Sequence, residues 1–173
     1  MAINRFLAMI NLRKANISDL PTLRFWDTQQ HVIESDPNDD WDWEKELRRD
    51  PAWREQLIAE INGRPFGFVQ IIDPAREETH YWGNVTENTR AVDIWIGEKQ
   101  YLRKGYGTEM MQQTLDRCFA DELVGVVLVD PLATNKDAIR FYKRIGFEYV
   151  ETRRFDQDLC EVYALSREKW SGN

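Results

Sequence analysis

Apolar and polar residues alternate through residues 5 to 14, with Phe6, Ala8, Ile10 and Leu12 on one side, and this period of two predicts a strand. The period then changes. Leu20, Leu23 and Trp26 recur at helical spacing behind Ser18, a residue suited to cap a helix, and predict one helix running toward Ile33. Pro21 falls in its first turn, where proline is tolerated. A short acidic helix is predicted from about Trp43 to Arg49. Strands follow near Gln56 to Ile61 and Phe66 to Ile72, joined by Asn62-Gly63, a pair that accepts the positive φ of a two-residue hairpin turn.

Residues 73 to 88 lack periodicity and predict a long polar loop carrying Tyr81 and Trp82, a length that in compact domains often serves function. A strand is expected at about Ala91 to Ile96. A glycine-rich turn then leads into a helix beginning near Gly107, with Met111, Leu115, Cys118 and Phe119 on its apolar face. Val124 to Val129 is a β-branched run suited to a buried central strand. Asn135 to Ile145 returns to helical spacing through Ala138, Tyr142 and Ile145, and Gly146 supplies its C-terminal cap. Two strands, roughly Phe147 to Arg154 and Leu159 to Ser166, complete the pattern. It describes one α+β domain, residues 1–173, around a twisted mixed sheet.

Composition sharpens this picture in three ways. The formal charge of −7 argues against a nucleic-acid partner, which would call for basic patches on the phosphates. The negative charge is concentrated: Glu34, Asp36, Asp39, Asp40, Asp42, Glu44 and Glu46 face the single Lys45 in one short stretch, either a solvated surface or a lip that attracts cations. No apolar run reaches the length that crosses a bilayer, and Met1 to Ile10 lacks the apolar core of a secretory signal, so no membrane partner is expected. Cys118 and Cys160 stand far apart and read as reduced thiols of a cytoplasmic protein. Neither His31 nor His80 has the spacing of a metal ligand, and no metal is expected.

The chemistry concentrates at Arg103-Lys104-Gly105-Tyr106-Gly107-Thr108. Free N–H groups at a helix start, with the positive end of the helix dipole, bind phosphate oxygens, and glycine allows close backbone approach. A plain glycine bend between strand and helix would read the same. It is neither a Walker loop, having no terminal Gly-Lys-Ser/Thr, nor a dinucleotide fingerprint, having no third glycine in place.

A second block, Asn135-x-x-Ala138-x-x-Phe141-Tyr142-x-x-x-Gly146-Phe147, follows by about one helix and one strand. Together the two blocks, from roughly Asp93 to Phe147, resemble the signature motifs of the GNAT superfamily of N-acetyltransferases. The resemblance implies splayed central strands, acetyl-coenzyme A as cosubstrate, and a coenzyme-binding half at about 91–147. It implies that Arg103, Lys104, Gly105, Tyr106, Gly107 and Thr108 cradle the pyrophosphate. Asn135, Ala138 and Tyr142 would meet the coenzyme arm, and Ile94, Trp95 and Ile96 would line its thioester end. Leu102 departs from the family, which often carries Gln or Arg there.

Finer features are similar to the aminoglycoside 6'-N-acetyltransferases: Asp130-Pro131 ahead of Asn135, Asp93 after a short apolar strand start, and His31-Val32-Ile33-Glu34 near the end of the first helical region. By that resemblance Asp93 meets the reacting amine and Asp130 an amine elsewhere on the substrate, with Glu34 and Trp82 also at the acceptor. Ser35 and Asp36 stand where close relatives carry an aromatic pair, and Trp41, Trp43, Tyr81 or Trp82 could supply the missing wall. The residue types suit the chemistry. An alkylammonium must lose a proton before it attacks a thioester, and Asp93 can accept it directly or through water. A backbone N–H between Ile94 and Ile96 can hold the oxyanion, and Tyr142 can protonate the leaving thiolate. Open alternatives are a different acceptor, such as a hydroxylysine-like siderophore precursor or a protein amine, and a non-catalytic acyl-coenzyme A-binding module.

Overall fold

The computed structural model describes residues 9–171. The first strand, β1, is Ile10–Lys14, so the expected Phe6 and Ala8 positions lie outside the described residues. The cap of the next element is Asn16 rather than Ser18. Asn16 Oδ1 accepts from the Ser18 N–H at 2.9 Å, and Asp19 Oδ2 accepts from the Asn16 N–H at 2.9 Å. This reciprocal box opens a short 3-10 turn, Ile17–Asp19, that runs into α1, Leu20–Asp27.

The single helix expected toward Ile33 is two helices. Thr28 turns its hydroxyl back onto the Phe25 carbonyl at 2.6 Å, Gln29 is extended at φ −78° and ψ 129°, and α2, Gln30–Ser35, starts afresh. The acidic helix α3 is Trp43–Arg48. Strands β2, Arg54–Ile61, and β3, Arg64–Ile72, are joined by Asn62 and Gly63 at φ 52° and 74°, the paired positive values of a tight hairpin.

After the loop come β4, Thr89–Ile96; α4, Tyr106–Phe119; β5, Val126–Val129; and α5, Lys136–Ile145. Gly146 ends α5 at φ 114°, its N–H on the Tyr142 and Lys143 carbonyls, as expected of a left-handed cap. Strands β6, Glu148–Phe155, and β7, Asp158–Ser166, form the last hairpin. A short helix that the pattern did not announce, α6, follows at Arg167–Ser171. Among the described residues no helix is long and apolar enough to cross a membrane.

The strands form one seven-stranded sheet in the order β1-β2-β3-β4-β5-β7-β6, and the domain is an α+β fold of the expected kind. Every neighbouring pair is antiparallel except β4 and β5, which run parallel. That parallel pairing covers only Thr89–Ala91 against Val126–Leu128. Beyond it the two strands separate. β4 stays with β3 as far as Ile96, whereas the chain after β5 stays with β7 through the Glu161 N–H on Pro131 O and the Ala133 N–H on Leu159 O. The sheet is therefore forked at its centre.

Side-chain alternation sends Val92 and Ile94 of β4 to one face and Ala91, Asp93 and Trp95 to the other. The first face carries the largest core, where Leu57, Val69, Val92, Met110, Leu115, Val127, Ile139 and Tyr142 lock α4 and α5 onto the sheet. The other face carries two smaller cores. Leu23, Trp26, Trp43, Ile58 and Phe68 seat α1 and α3; Trp82, Ala91, Phe155, Cys160 and Val162 seat the long loop on β7. Gly97, just past β4, is where Trp26 crosses the sheet: a Cβ there would lie 2.0 Å from the indole. Between these two cores the face is polar, and the fork opens there.

Candidate active site

The register that splits the sheet also pairs two acids. Ala91 is the last β4 residue opposite β5, against Leu128, so Asp93 and Asp130 stand two positions further along their separating limbs, on the same face. Each is held from behind. Gln70 of β3 donates through Nε2 to Asp93 Oδ2 at 2.8 Å, and the Tyr81 hydroxyl donates to Asp130 Oδ2 at 2.8 Å. Tyr81 is fixed by stacking on Phe155, with centroids 4.4 Å apart. Burial raises the Asp93 carboxyl above the usual carboxylate range, against the Gln70 hydrogen bond, and the charge of Asp36 raises it further. Asp130 is pushed up to about 8 by burial and by the charge of Asp93.

The acidic stretch arches over this pair. Its segment between α2 and α3 is tied down by Asn38 Nδ2 on Asp158 Oδ1 at 2.6 Å and by Asn135 Nδ2 on the Ser35 carbonyl at 3.3 Å. Asp36 and Asp39 are the members whose charges are felt at the fork: both residues are exposed, yet their carboxyls lie above the ordinary carboxylate range, Asp39 up to about 7, through partial loss of water and the charges of neighbouring acids, Asp93 among them for Asp39. Glu34, the expected acceptor residue, lies exposed on α2 with its carboxylate taken by Gln30 Nε2 at 2.7 Å. Trp82 is buried in the core under the loop, and it is its neighbour Tyr81 that meets the fork. Trp41 stacks on Trp43, with centroids 4.5 Å apart, and sits beside Trp95, which gives the acidic groove an aromatic wall.

The fork also frees backbone groups. The Gly97 N–H donates to Phe66 O at 2.9 Å, which makes Gly97 and Phe66 a hydrogen-bonded pair of the β3–β4 ladder. Alternation then points Asp93 and Trp95 amides at β3 and leaves the Ile94 and Ile96 amides facing the gap where β5 would be. His31 Nε2 takes up the Ile96 carbonyl there at 2.9 Å, so α2 satisfies one group that the missing strand would have paired. The Trp95 side chain lies on the acidic face.

The glycine turn abuts the same gap. Arg103 and Gly105 adopt positive φ, 58° and 93°, and the helix begins at Tyr106. The Thr108 and Glu109 N–H groups already close on the Gly105 carbonyl, and the preceding amides of Gly105, Tyr106 and Gly107 are the outward-facing donors of a helix start. Arg103 and Lys104 are exposed beside them, and Tyr106 is packed under the turn against Phe66 and Tyr101. A Cβ on Gly107 would meet only Phe141 at 3.7 Å and Ile96 at 3.8 Å, ordinary contacts, so the fold itself leaves that approach open. On α5, Asn135 Oδ1 caps the Ala138 N–H at 3.1 Å, and half-buried Ala138 packs against the main core. Tyr142 is buried between Phe141 and Phe147. Burial first, then the charges of Asp93 and Asp130, raise its hydroxyl above the ordinary range and keep it protonated at neutral pH.

One gap in the sheet thus joins a helix start with outward amides, two strand amides that face the opening and a protonated phenol on one side to a crowd of carboxylates on the other.

Comparison with known proteins agrees with this geometry. The profile described as an acetyltransferase (GNAT) domain matches residues 16–155. An aminoglycoside N(6')-acetyltransferase type 1 of Klebsiella pneumoniae is 28% identical over 154 residues, covering 80% of this chain and 74% of the relative. A kanamycin resistance protein of Rhizobium radiobacter is 32% identical over 73 residues, 42% of this chain and 68% of that protein. Among solved structures, the aminoglycoside acetyltransferase AAC(6')-Ib in complex with coenzyme A and kanamycin superposes with a TM-score of 0.85 at 23% identity, over 95% of this chain and 99% of that one. The forked sheet and its glycine turn are accordingly those of the GNAT acetyltransferases, the family to which this chain belongs, with acetyl-coenzyme A as its cosubstrate.

Proposed function

We propose that the chain acetylates a primary amine of a polycationic small molecule of the aminoglycoside type, in the cytoplasm. The observation that carries this reading is the convergence of Asp36, Asp39, Asp93 and Asp130 on the fork, where carboxylates are raised by burial and by one another. Such a cluster favours ammonium groups, which can take the place of bound protons, over an acceptor carrying a carboxylate. The named aminoglycoside acetyltransferases among its relatives support the same acceptor class.

Acetyl-coenzyme A supplies an acetyl thioester, the electrophile. The chain's residues do the rest. The Gly105 to Gly107 amides, with Arg103 and Lys104, hold phosphate; the cradle continues through Thr108 and along Asn135 and Ala138. Asp93 receives the reacting ammonium and takes its proton, directly or through water. Asp130, braced by Tyr81, pairs with a second ammonium and fixes the acceptor's orientation. An amide of Ile94 or Ile96 stands where a developing oxyanion would need a donor, with Trp95 between them turned to the acceptor face. The protonated Tyr142 hydroxyl returns a proton to the leaving sulfur.

The acceptor class is tested by steady-state turnover with kanamycin-type aminoglycosides, spermidine, hydroxylysine and peptides with free N-termini. A preference for the aminoglycosides is expected, and Asp130→Asn should raise their KM more than it lowers kcat, since it removes binding common to ground and transition states. Preference for an anionic acceptor or a peptide would overturn the reading.

Two further substitutions separate the coenzyme site from the chemistry. Gly107→Val, whose Cβ would meet only ordinary van der Waals contacts, should still fold, as an unfolding midpoint checks, while calorimetry shows a sharp loss of acetyl-coenzyme A affinity. Unchanged affinity would remove the turn from the coenzyme site. Tyr142→Phe should keep that affinity while turnover falls by about 10²–10⁴-fold, the usual cost of a lost general acid; full turnover would leave Tyr142 a packing residue.

A further inference from the structure

Behind Asp93 runs a line of buried side-chain amides. Gln56 of β2, Gln70 of β3 and Asp93 of β4 are direct cross-strand partners in three consecutive strands. Gln56 is 8% exposed and Gln70 4%. Gln56 Nε2 donates to Gln70 Oε1 at 3.1 Å, and Gln70 Nε2 donates to Asp93 Oδ2 at 2.8 Å. A buried side-chain amide costs free energy unless its groups are paired, and an apolar residue of the same size would fill either position without that demand.

The direction of the line matters as much as its existence. A glutamine offers a donor at one end and an acceptor at the other. Turned one way Gln70 stabilises the charged form of Asp93; turned the other way it presents an oxygen to a carboxylate. The Asp93 carboxylate can only accept, so it takes the donor end of Gln70, and Gln56 satisfies the acceptor end that is left.

We propose that Gln56 and Gln70 form an amide relay that orients Asp93, Gln70 acting as a positioning residue for acetyl transfer and Gln56 holding Gln70 in the orientation that donates to Asp93. This rests on the reading of Asp93 as the group that receives the reacting ammonium. The relay fixes Oδ2 toward β3, which leaves Oδ1 to address the fork. The other groups around Asp93 work against its charge: Asp130 beyond β5, and Asp36 and Asp39 from the acidic segment, are acids, while Tyr81 of the loop donates to Asp130 and Tyr142 of α5 lies within the field of both carboxylates. Among the described residues Gln70 is the hydrogen-bond donor recorded on this carboxylate.

The test is the pH dependence of kcat for the full chain with acetyl-coenzyme A and kanamycin, compared for wild type, Gln70→Met, Gln56→Met and Asp93→Asn. Losing a donor raises a carboxylate's pKa, and a base works only when deprotonated. Gln70→Met should therefore move the acidic limb to higher pH by about one unit and lower kcat about tenfold on that limb. Gln56→Met should shift the limb in the same direction by less. Acetyl-coenzyme A affinity should stay at the wild-type value in both. An amide that merely packs would lower kcat equally at every pH or leave it unchanged, and either result would overturn the relay. Should Gln70→Met fail to fold, Gln56→Met, remote from the reacting atoms, decides by the same criterion. If Asp93→Asn turns over like wild type, the role of Asp93 falls and the relay with it; if Asp93→Asn is crippled while both glutamine variants keep the wild-type profile, only the relay falls.

Discussion

The structure depends on one broken pairing. β4 and β5 are joined at Thr89–Ala91 and Val126–Leu128 and then go with different neighbours, β4 with β3 and the chain after β5 with β7. A parallel sheet continued for two more residues would have paired the strand edge and brought Asp93 directly against Asp130 in a closed interior, where two buried like charges are strongly unfavourable. Separation gives each carboxylate its own brace, Gln70 for one and Tyr81 for the other, and leaves room for a cation between them. The opening also lays bare the amides that would serve an oxyanion. On the proposed function, acceptor and acyl group would meet from the two sides of this gap.

The rest of the fold holds that gap open. His31 of α2 satisfies the Ile96 carbonyl, and Asn38 and Asn135 hold the acidic segment in place over the carboxylates. α4 and α5 press on the opposite face, so the start of α4 and Tyr142 of α5 arrive beside Ile96 without occupying the opening. The exposed acids of the segment from Glu34 to Glu46 add negative charge around the opening, in keeping with the polycationic acceptor proposed above.

Much of this was legible in the chain because local rules governed it. The Asn62-Gly63 hairpin, the Gly146 cap, the valine-rich strand and the glycine turn each express a constraint between near neighbours, and each lies where the pattern placed it. Misses came where two local rules competed or where register decided. Asn16 and Ser18 are both good caps, and the pairing of Asn16 with Asp19 won. The Thr28 hydroxyl divided a helix that its apolar spacing would have continued. Run composition marked the segment from Glu34 to Glu46 as acidic, but only the turn after α2 shows that Asp36 and Asp39, rather than Glu34, face the fork. Tyr81 and Trp82 differ by one position in an aperiodic loop, where sequence carries no signal of which side chain turns inward. The Gln56–Gln70–Asp93 line exists only in the register of three strands and has no local signature at all.

The proposed function implies an exchange at the fork: Asp130, raised to about 8 in the free protein, gives up its proton when an ammonium of the acceptor binds. Its most direct test is a carbon-detected NMR titration of the aspartate side chains, from about pH 4 to about pH 10, with Asp130 assigned by Asp130→Asn, in the absence and presence of saturating kanamycin. In the free protein Asp130 should titrate at about 8. With kanamycin bound the midpoint should fall by at least about one unit, as an ammonium takes the place of the proton. An Asp130 that titrates in the ordinary carboxylate range in the free protein, or one whose midpoint kanamycin leaves unmoved, would contradict the account.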